Sequence, residues 1–373
     1  MDCKYNKIGK IIAIFCALLY SLPIFGSEEK EIFKVPLHPG KVIKFQKEKF
    51  LKRRPNEFAT PLLNEKVIYV GTERGIFYAV DLEPRHKKWQ VKLNGPIQAD
   101  ATFDEGTLYV TDIKGYVYAL NAEDGKEIWS TKLELELMSK PLVTKDRVYV
   151  VSTTGHLVAL GKSDGSKLWV RVRPPWPSQF IMRKSSNPVI YNNMLFVGYP
   201  DGNLVVHDPY NGNVLWQKKL SDRISIIQDI DTTPLIVDKQ LYIASVMGDL
   251  YCLDPETGRQ IWKLDISSPN NLFLDGKYLY VSGKGKLHQI LADSGRLVWI
   301  QDFEVPEISA PVIKDGLAVV VSTDKRLYVV DTSTGEVVYK RYIRKGALSD
   351  PIIDGNILYL LSNSSRLYTF RSN

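Results

Sequence analysis

Short apolar runs recur along this chain at a nearly fixed interval, and the same two turns punctuate each of them. A run such as Leu108-Tyr109-Val110 or Leu358-Tyr359-Leu360 alternates aromatic with branched or aliphatic residues. Period-two alternation of that kind predicts a β-strand. A turn of small polar residues follows, as in Pro200-Asp201-Gly202-Asn203, residue types that tolerate the positive φ of a tight hairpin. The next strand reads like Leu250-Tyr251-Cys252-Leu253-Asp254. A second turn then carries Asp124-Gly125, Asp164-Gly165, Asn211-Gly212, Thr257-Gly258, Ser294-Gly295 or Thr334-Gly335. The strand after it carries a tryptophan.

Those tryptophans set the period. Trp89, Trp129, Trp169, Trp216, Trp262 and Trp299 are separated by 40, 40, 47, 46 and 37 residues, and Tyr339 follows 40 residues later. A repeat of about 40 residues holding four short strands predicts a blade of a β-propeller. Phasing on the second-strand position gives eight units: Tyr69, Tyr109, Tyr149, Phe196, Tyr242, Tyr280, Val319 and Tyr359. The flat indole of the fourth strand is expected to pack between neighbouring blades. Pro141, Pro188, Pro234, Pro311 and Pro351 are expected in the innermost strands, where a missing N–H has no ladder partner to lose. The last unit stops at Asn373 without its fourth strand. Residues 42–50 read as an extended segment that would supply that strand and close an eight-bladed, all-β ring. Without that pairing seven blades would be complete.

The ring overrides the two-domain prior that 373 residues would suggest. The expected organisation is a signal peptide at 1–27, an N-terminal segment with the closing strand at 28–57, and the propeller at 58–373. Lys4, Lys7 and Lys10 precede an apolar run from Ile11 to Phe25, with Gly26-Ser27 after it. That pattern reads as a secretory signal; the run is short for a membrane span, which needs ~20 residues. An uncleaved anchor and lipidation at Cys16, which follows Phe15, are the alternatives. The net charge of +7 falls to +5 once residues 1–26, with three lysines and one aspartate, are set aside. The basic cluster Lys47, Lys49, Lys52, Arg53 and Arg54 suits either anionic lipid, an acidic partner or a solvated edge. Export argues against nucleic acid. Cys252 alone remains after the signal, which excludes an internal disulfide and suggests a small core residue.

Catalytic chemistry is not legible. His38, His86, His156, His207 and His288 share no metal-ligand spacing, and no nucleophile elbow, phosphate loop or nucleotide fingerprint is present. The Asp-x-x-Thr-Gly-x-x-x-Trp pattern of 254–262 resembles the repeat of the pyrroloquinoline-quinone (PQQ) propellers. The dehydrogenases among them, as that resemblance implies, need adjacent cysteines, calcium ligands and an aspartate base, and no adjacent cysteine pair occurs here. The expectation is therefore no cofactor and no metal, with a PQQ-dependent dehydrogenase or a ligand-sensing propeller as the alternative.

Two connections break the repeat. From tryptophan (or Tyr339) to the proline of the next blade's innermost strand the usual step is 12 residues, but Trp169 to Pro188 is 19 and Trp216 to Pro234 is 18. Both are consecutive, emerge on one face, and are apolar for loops, with Arg and Asp among the apolar residues. That composition suits an interface or a plug filling the groove between blades. The segments Arg183-x-x-Ser186-x-Pro188 and Asp229-Ile230-Asp231-Thr232-Thr233-Pro234, with the shortened sixth blade at 270–276, resemble the BamB family of outer-membrane protein assembly factors. The resemblance covers roughly 40–370. It implies a non-catalytic scaffold in the periplasm, peripheral to the inner face of the outer membrane. Its implied partner is the set of periplasmic domains of the barrel-assembly subunit; whether nascent outer-membrane proteins also touch the ring is left open. The residues implied to bind are Phe180, Met182 and Arg183 on the first connection and Asp229 and Asp231 on the second. Lys184 and Asn187 depart from the family's usual Gly and Ala, and no lipobox precedes the fold.

Overall fold

The computed structural model describes residues 32–45, 57–83, 86–174, 186–220, 230, 232–246, 249–266 and 268–372. Among these there are only strands, turns and irregular segments. The strands form eight separate antiparallel sheets, seven of them in chain order and the eighth completed by strands from the N-terminal segment. Blade 1 is typical, with Leu62–Asn64, Val67–Gly71, Ile76–Asp81 and His86–Lys92. The innermost strands of neighbouring blades touch, as at Thr102, whose hydroxyl donates to the carbonyl of Pro141. The molecule is the expected eight-bladed β-propeller.

The middle strands of each blade are almost entirely buried, and hydrophobic clusters lie between neighbouring blades rather than at one centre. Within blades 1 to 6 the second-strand aromatic meets the fourth-strand tryptophan, as in Tyr69–Trp89 at 5.9 Å and Tyr242–Trp262 at 5.9 Å between ring centroids. The indole then reaches the next blade. Trp89 Nε1 donates to Ala122 O at 3.1 Å, Trp129 to Lys162 O at 2.9 Å, Trp262 to Ala292 O at 3.0 Å, and Trp299 to Thr332 O at 3.0 Å. Trp169 and Trp216 face turns that carry Pro209 and Pro255 in that column, and their buried indole nitrogens have no acceptor among the described residues.

Each indole lies flat on the turn glycine of the following blade. At Gly165 (φ +69°) an added Cβ would stand 2.5 Å from Trp129 Cε3. Gly165→Ala therefore combines a strained backbone with a steric clash. It should cost about 2 kcal/mol or more, read as a lower denaturant midpoint at unchanged slope. The same change at Gly106, whose added Cβ would meet nothing within 4 Å, should show the backbone penalty alone. Equal losses at the two sites would remove the indole stack from the account.

Two details differ from the sequence reading. The prolines expected within the innermost strands stand just before them: Pro141 precedes Leu142–Val143 and Pro311 precedes Val312–Lys314. There proline sets the entry of the strand instead of occupying a ladder position. The closing pairing includes Ile43–Lys44 of the expected 42–50 but also begins earlier. His38–Pro39 and Ile43–Lys44 pair with Arg366–Arg371, with His38 opposite Arg371 and Ile43 opposite Leu367. The run that reads as extended in sequence thus begins pairing at His38, across a break at 40–42; residues 46–50 lie outside those described.

The closure reaches both neighbours of blade 8. Phe33 and Leu37 sink into the cluster between blades 7 and 8. Phe45 packs on Tyr78 of blade 1, with ring centroids 4.8 Å apart. Tyr339, in the tryptophan column, donates its hydroxyl to Leu37 O at 3.1 Å, so the N-terminal segment offers the carbonyl a following blade would. Glu57 completes the seam. Its buried carboxylate accepts from Glu73 N of blade 1 at 2.9 Å and from the Ser365 hydroxyl of blade 8. The corresponding residues of other connections, Ile97, Leu137, Ile230 and Ala347, are apolar and buried. Burial, the largest effect, raises the Glu57 pKa above the usual carboxylate range.

Candidate partner-binding site

The five residues predicted to bind a partner, Phe180, Met182, Arg183, Asp229 and Asp231, lie outside the described residues. What is described is how the two connections that carry them are rooted. The first leaves blade 3 after the strand Lys167–Val172 and enters blade 4 at Val189–Tyr191. The second leaves blade 4 after Val214–Lys219 and enters blade 5 at Leu235–Val237. Both therefore belong to one face, the face of the turns between second and third strands.

Their ends converge on the edge of blade 4. A Cβ built on Gly198 would meet Ile230 Cγ2 at 2.5 Å and Ser186 Oγ at 2.9 Å. Glycine at 198 thus leaves room for the end of the first connection and the end of the second together. The two ends are also bonded to each other. Ser186 donates its hydroxyl to Thr232 O at 2.9 Å, and Asn187 Nδ2 donates to Thr233 Oγ1 at 2.9 Å. Ile230, which separates Asp229 from Asp231 in sequence, is fully buried, and its N–H donates to Tyr199 O at 3.3 Å. Asn187, where the family usually has Ala, also accepts from Lys140 N at 2.7 Å and so ties blade 3 to blades 4 and 5.

The departing end of the first connection is fixed as firmly. Arg173 Nε donates to Asp201 Oδ2 at 3.0 Å, Nη1 donates to Gln217 Oε1 at 3.1 Å, and the guanidinium lies 5.3 Å above the Tyr199 ring. Tyr199 is itself unusual. Three residues after the second-strand position, other blades place Thr72, Asp112, Ser152, Ser322 and Ser362, whose side chains serve the turn, and the small Ser245 and Gly283. The tyrosine instead runs inward, its hydroxyl 3.1 Å from His207 Nε2. His207 Nδ1 stands 2.9 Å from Gly212 O. A carbonyl only accepts, so Nδ1 carries the proton and Nε2 accepts from the tyrosine. Sequence reasoning passed over His207 because it looked only for metal spacing; the signal was the large residue at 199 in a column of small polar ones.

Burial, with Arg173 and Arg171 adding to it, lowers the His207 pKa below the usual 6.5; the bond to Gly212 only partly offsets this. His288, buried in blade 6, is lowered for the same first reason. The unfolded chain thus takes up protons near pH 6.5 that the folded ring refuses. Stability is full above that pH and falls as the pH drops below it, by up to about 1.4 kcal/mol per unit for each group. His207→Gln should lower stability at pH 7.5 yet flatten its decline toward pH 5.5. Parallel declines in the two proteins would contradict the buried neutral imidazole.

Among the described residues no group of three or more His, Cys, Asp or Glu side chains gathers as metal ligands would. Cys252 is fully buried, and burial pushes its thiol up to about 12, which leaves it an inert core residue.

No protein of curated function matches the chain. Among solved structures, BamB from Moraxella catarrhalis superposes with a TM-score of 0.78 at 20% identity, covering 90% of this chain and 100% of that one. A europium-containing methanol dehydrogenase gives 0.73 at 15% identity, covering 88% and 93%. The quinohemoprotein alcohol dehydrogenase from Comamonas testosteroni gives 0.71 at 14% identity, covering 90% and 76%. At such identities these likenesses speak for the fold alone. The family described as outer membrane protein assembly factor BamB matches residues 85–301 and 283–373. With well over half of its length matched, and with the propeller and the paired connections in place, this chain belongs to the BamB family of PQQ-repeat propellers.

Proposed function

We propose that this protein is a non-catalytic scaffold of outer-membrane β-barrel assembly, exported to the periplasm and held at the inner face of the outer membrane through its partner. It binds the periplasmic domains of the barrel-assembly subunit with the two long connections, Phe180, Met182 and Arg183 on one and Asp229 and Asp231 on the other. The observation that carries this reading is the shared footing at Gly198. Two connections of interface composition are bolted to each other through Ser186, Thr232, Asn187 and Thr233. A rigid base lowers the entropy lost when a loop surface meets a partner. Family membership supplies the assembly role.

The test is retention of the purified barrel-assembly subunit's periplasmic domains on the immobilised protein. Saturable binding in the micromolar range or tighter is expected; no retention at any concentration would end the proposal. A parallel titration with PQQ and calcium, followed by absorbance, addresses the dehydrogenase alternative. It is expected to show no saturable change, and saturation together with alcohol oxidation would favour the enzyme.

A further inference from the structure

The outermost strands of the ring follow a rule that blade 3 breaks. On the solvent side of the fourth strand each of the other blades 1 to 7 carries at least one charge: Lys92, Lys132, Lys219, Asp265 and Asp302 stand three residues after the tryptophan, and blade 7, with Tyr342 at that position, carries Lys340. An outermost strand keeps a row of unpaired backbone groups, and charge there discourages another strand from joining it. In blade 3 that position is Val172, 63% exposed, and the solvent-side residue before it is Val170, 39% exposed. With Leu168 at the bulge, 46% exposed, they form an apolar stripe along Lys167–Val172. Among the described residues no strand lies beyond it in its sheet.

Charge selects what would cover that edge. Lys167 forms no ion pair among the described residues, and Arg171 spends its guanidinium on neutral acceptors: Gly212 O at 3.1 Å, Asn213 Oδ1 at 3.1 Å and the Asn211 carbonyl. Two copies of this edge would bring like charges together, which argues against self-pairing. We propose that the outer strand of blade 3 is a strand-addition site for an extended segment with apolar residues at alternate positions and carboxylates between them. A joining strand would lie about 4.8 Å away, setting its apolar side chains beside Val170 and Val172 and its carboxylates beside Arg171. Alternation of this kind is the sequence pattern of an outer-membrane barrel strand, and the source proposed is such a strand before it has folded. That source rests on the assembly reading above; the free edge does not.

The probe is a fluorescein-labelled ten-residue peptide with valine at alternate positions and glutamate and serine between, read by anisotropy. A peptide of the same composition with the alternation scrambled is the control. Val172→Lys restores the rule of the other blades at an exposed position, so its melting should match the parent. It should weaken the alternating peptide by about tenfold or more, as should scrambling. Equal binding by the variant or by the scrambled peptide, or no saturable binding to the parent, would overturn the proposal. A dimer of the parent that Val172→Lys abolishes would assign the edge to a second copy and overturn it too. Retention of the barrel-assembly subunit by Val172→Lys, measured alongside, separates the two ideas. Val172→Lys is expected to keep the subunit; in the parent, peptide binding without subunit retention refutes the scaffold contact alone, and subunit retention without peptide binding refutes strand addition alone.

Discussion

Removing residues 33–45 should destabilise the ring by on the order of 5 kcal/mol, because Phe33, Leu37 and Phe45 are each buried and each worth about 1.5–3 kcal/mol in burial. The loss is larger than those three contacts. The Leu37 carbonyl would no longer receive Tyr339 Oη at 3.1 Å and Arg341 Nη1 at 3.0 Å. The Thr369 hydroxyl would lose the Lys41 carbonyl at 3.0 Å. The edge of Arg366–Arg371 would then stand open, and an open edge invites pairing with another chain. The truncated protein should therefore melt much lower and associate on heating. An unchanged melting temperature in a monomeric truncation would mean that the N-terminal segment is an ornament and that blades 7, 8 and 1 hold one another unaided.

Most of this ring is legible in the sequence, and the reason is physical. Each blade repeats the same solution, so a strand residue such as Tyr69 and an indole such as Trp89 recur at one spacing, and the spacing survives as a period. Even the substitution of Tyr339 for a tryptophan keeps the contact, exchanging an indole N–H for a phenol O–H as the donor to the next segment. Closure is less visible because the closing strand is short and interrupted. Its alternation is too brief to separate 38–44 from 42–50. The candidate site is legible only as a departure from the period, at the two connections. What fixes those connections is not periodic at all. Gly198 reads as an ordinary strand end, and Asn187 as a mismatch to the family, yet together they hold the two connections in one place. Tyr199 and His207 are invisible for a similar reason: their partnership crosses a hairpin, and neither residue type is rare in strands.

Replacing Phe180, Met182 and Arg183 together by alanine should weaken binding of the barrel-assembly subunit by at least about 2 kcal/mol, some thirtyfold. Phe180 and Met182 are spaced to present two apolar anchors on one side of an extended segment. Arg183 adds a fork suited to a carboxylate. The same three changes should leave the melting temperature nearly untouched, because the roots of the connections, Ser186, Asn187, Ile230 and Thr232, hold themselves without them. A collapsed melt together with lost binding would instead mean that these side chains fill the groove between blades.

The account stands or falls on whether the two connections meet the assembly subunit where the protein works. A photoreactive amino acid placed at position 180 in cells, with the same group at position 340 on the outer strand of blade 7 as the control, tests this directly. The account predicts that position 180 traps the barrel-assembly subunit and position 340 does not. Trapping at neither position, or equally at both, would contradict it.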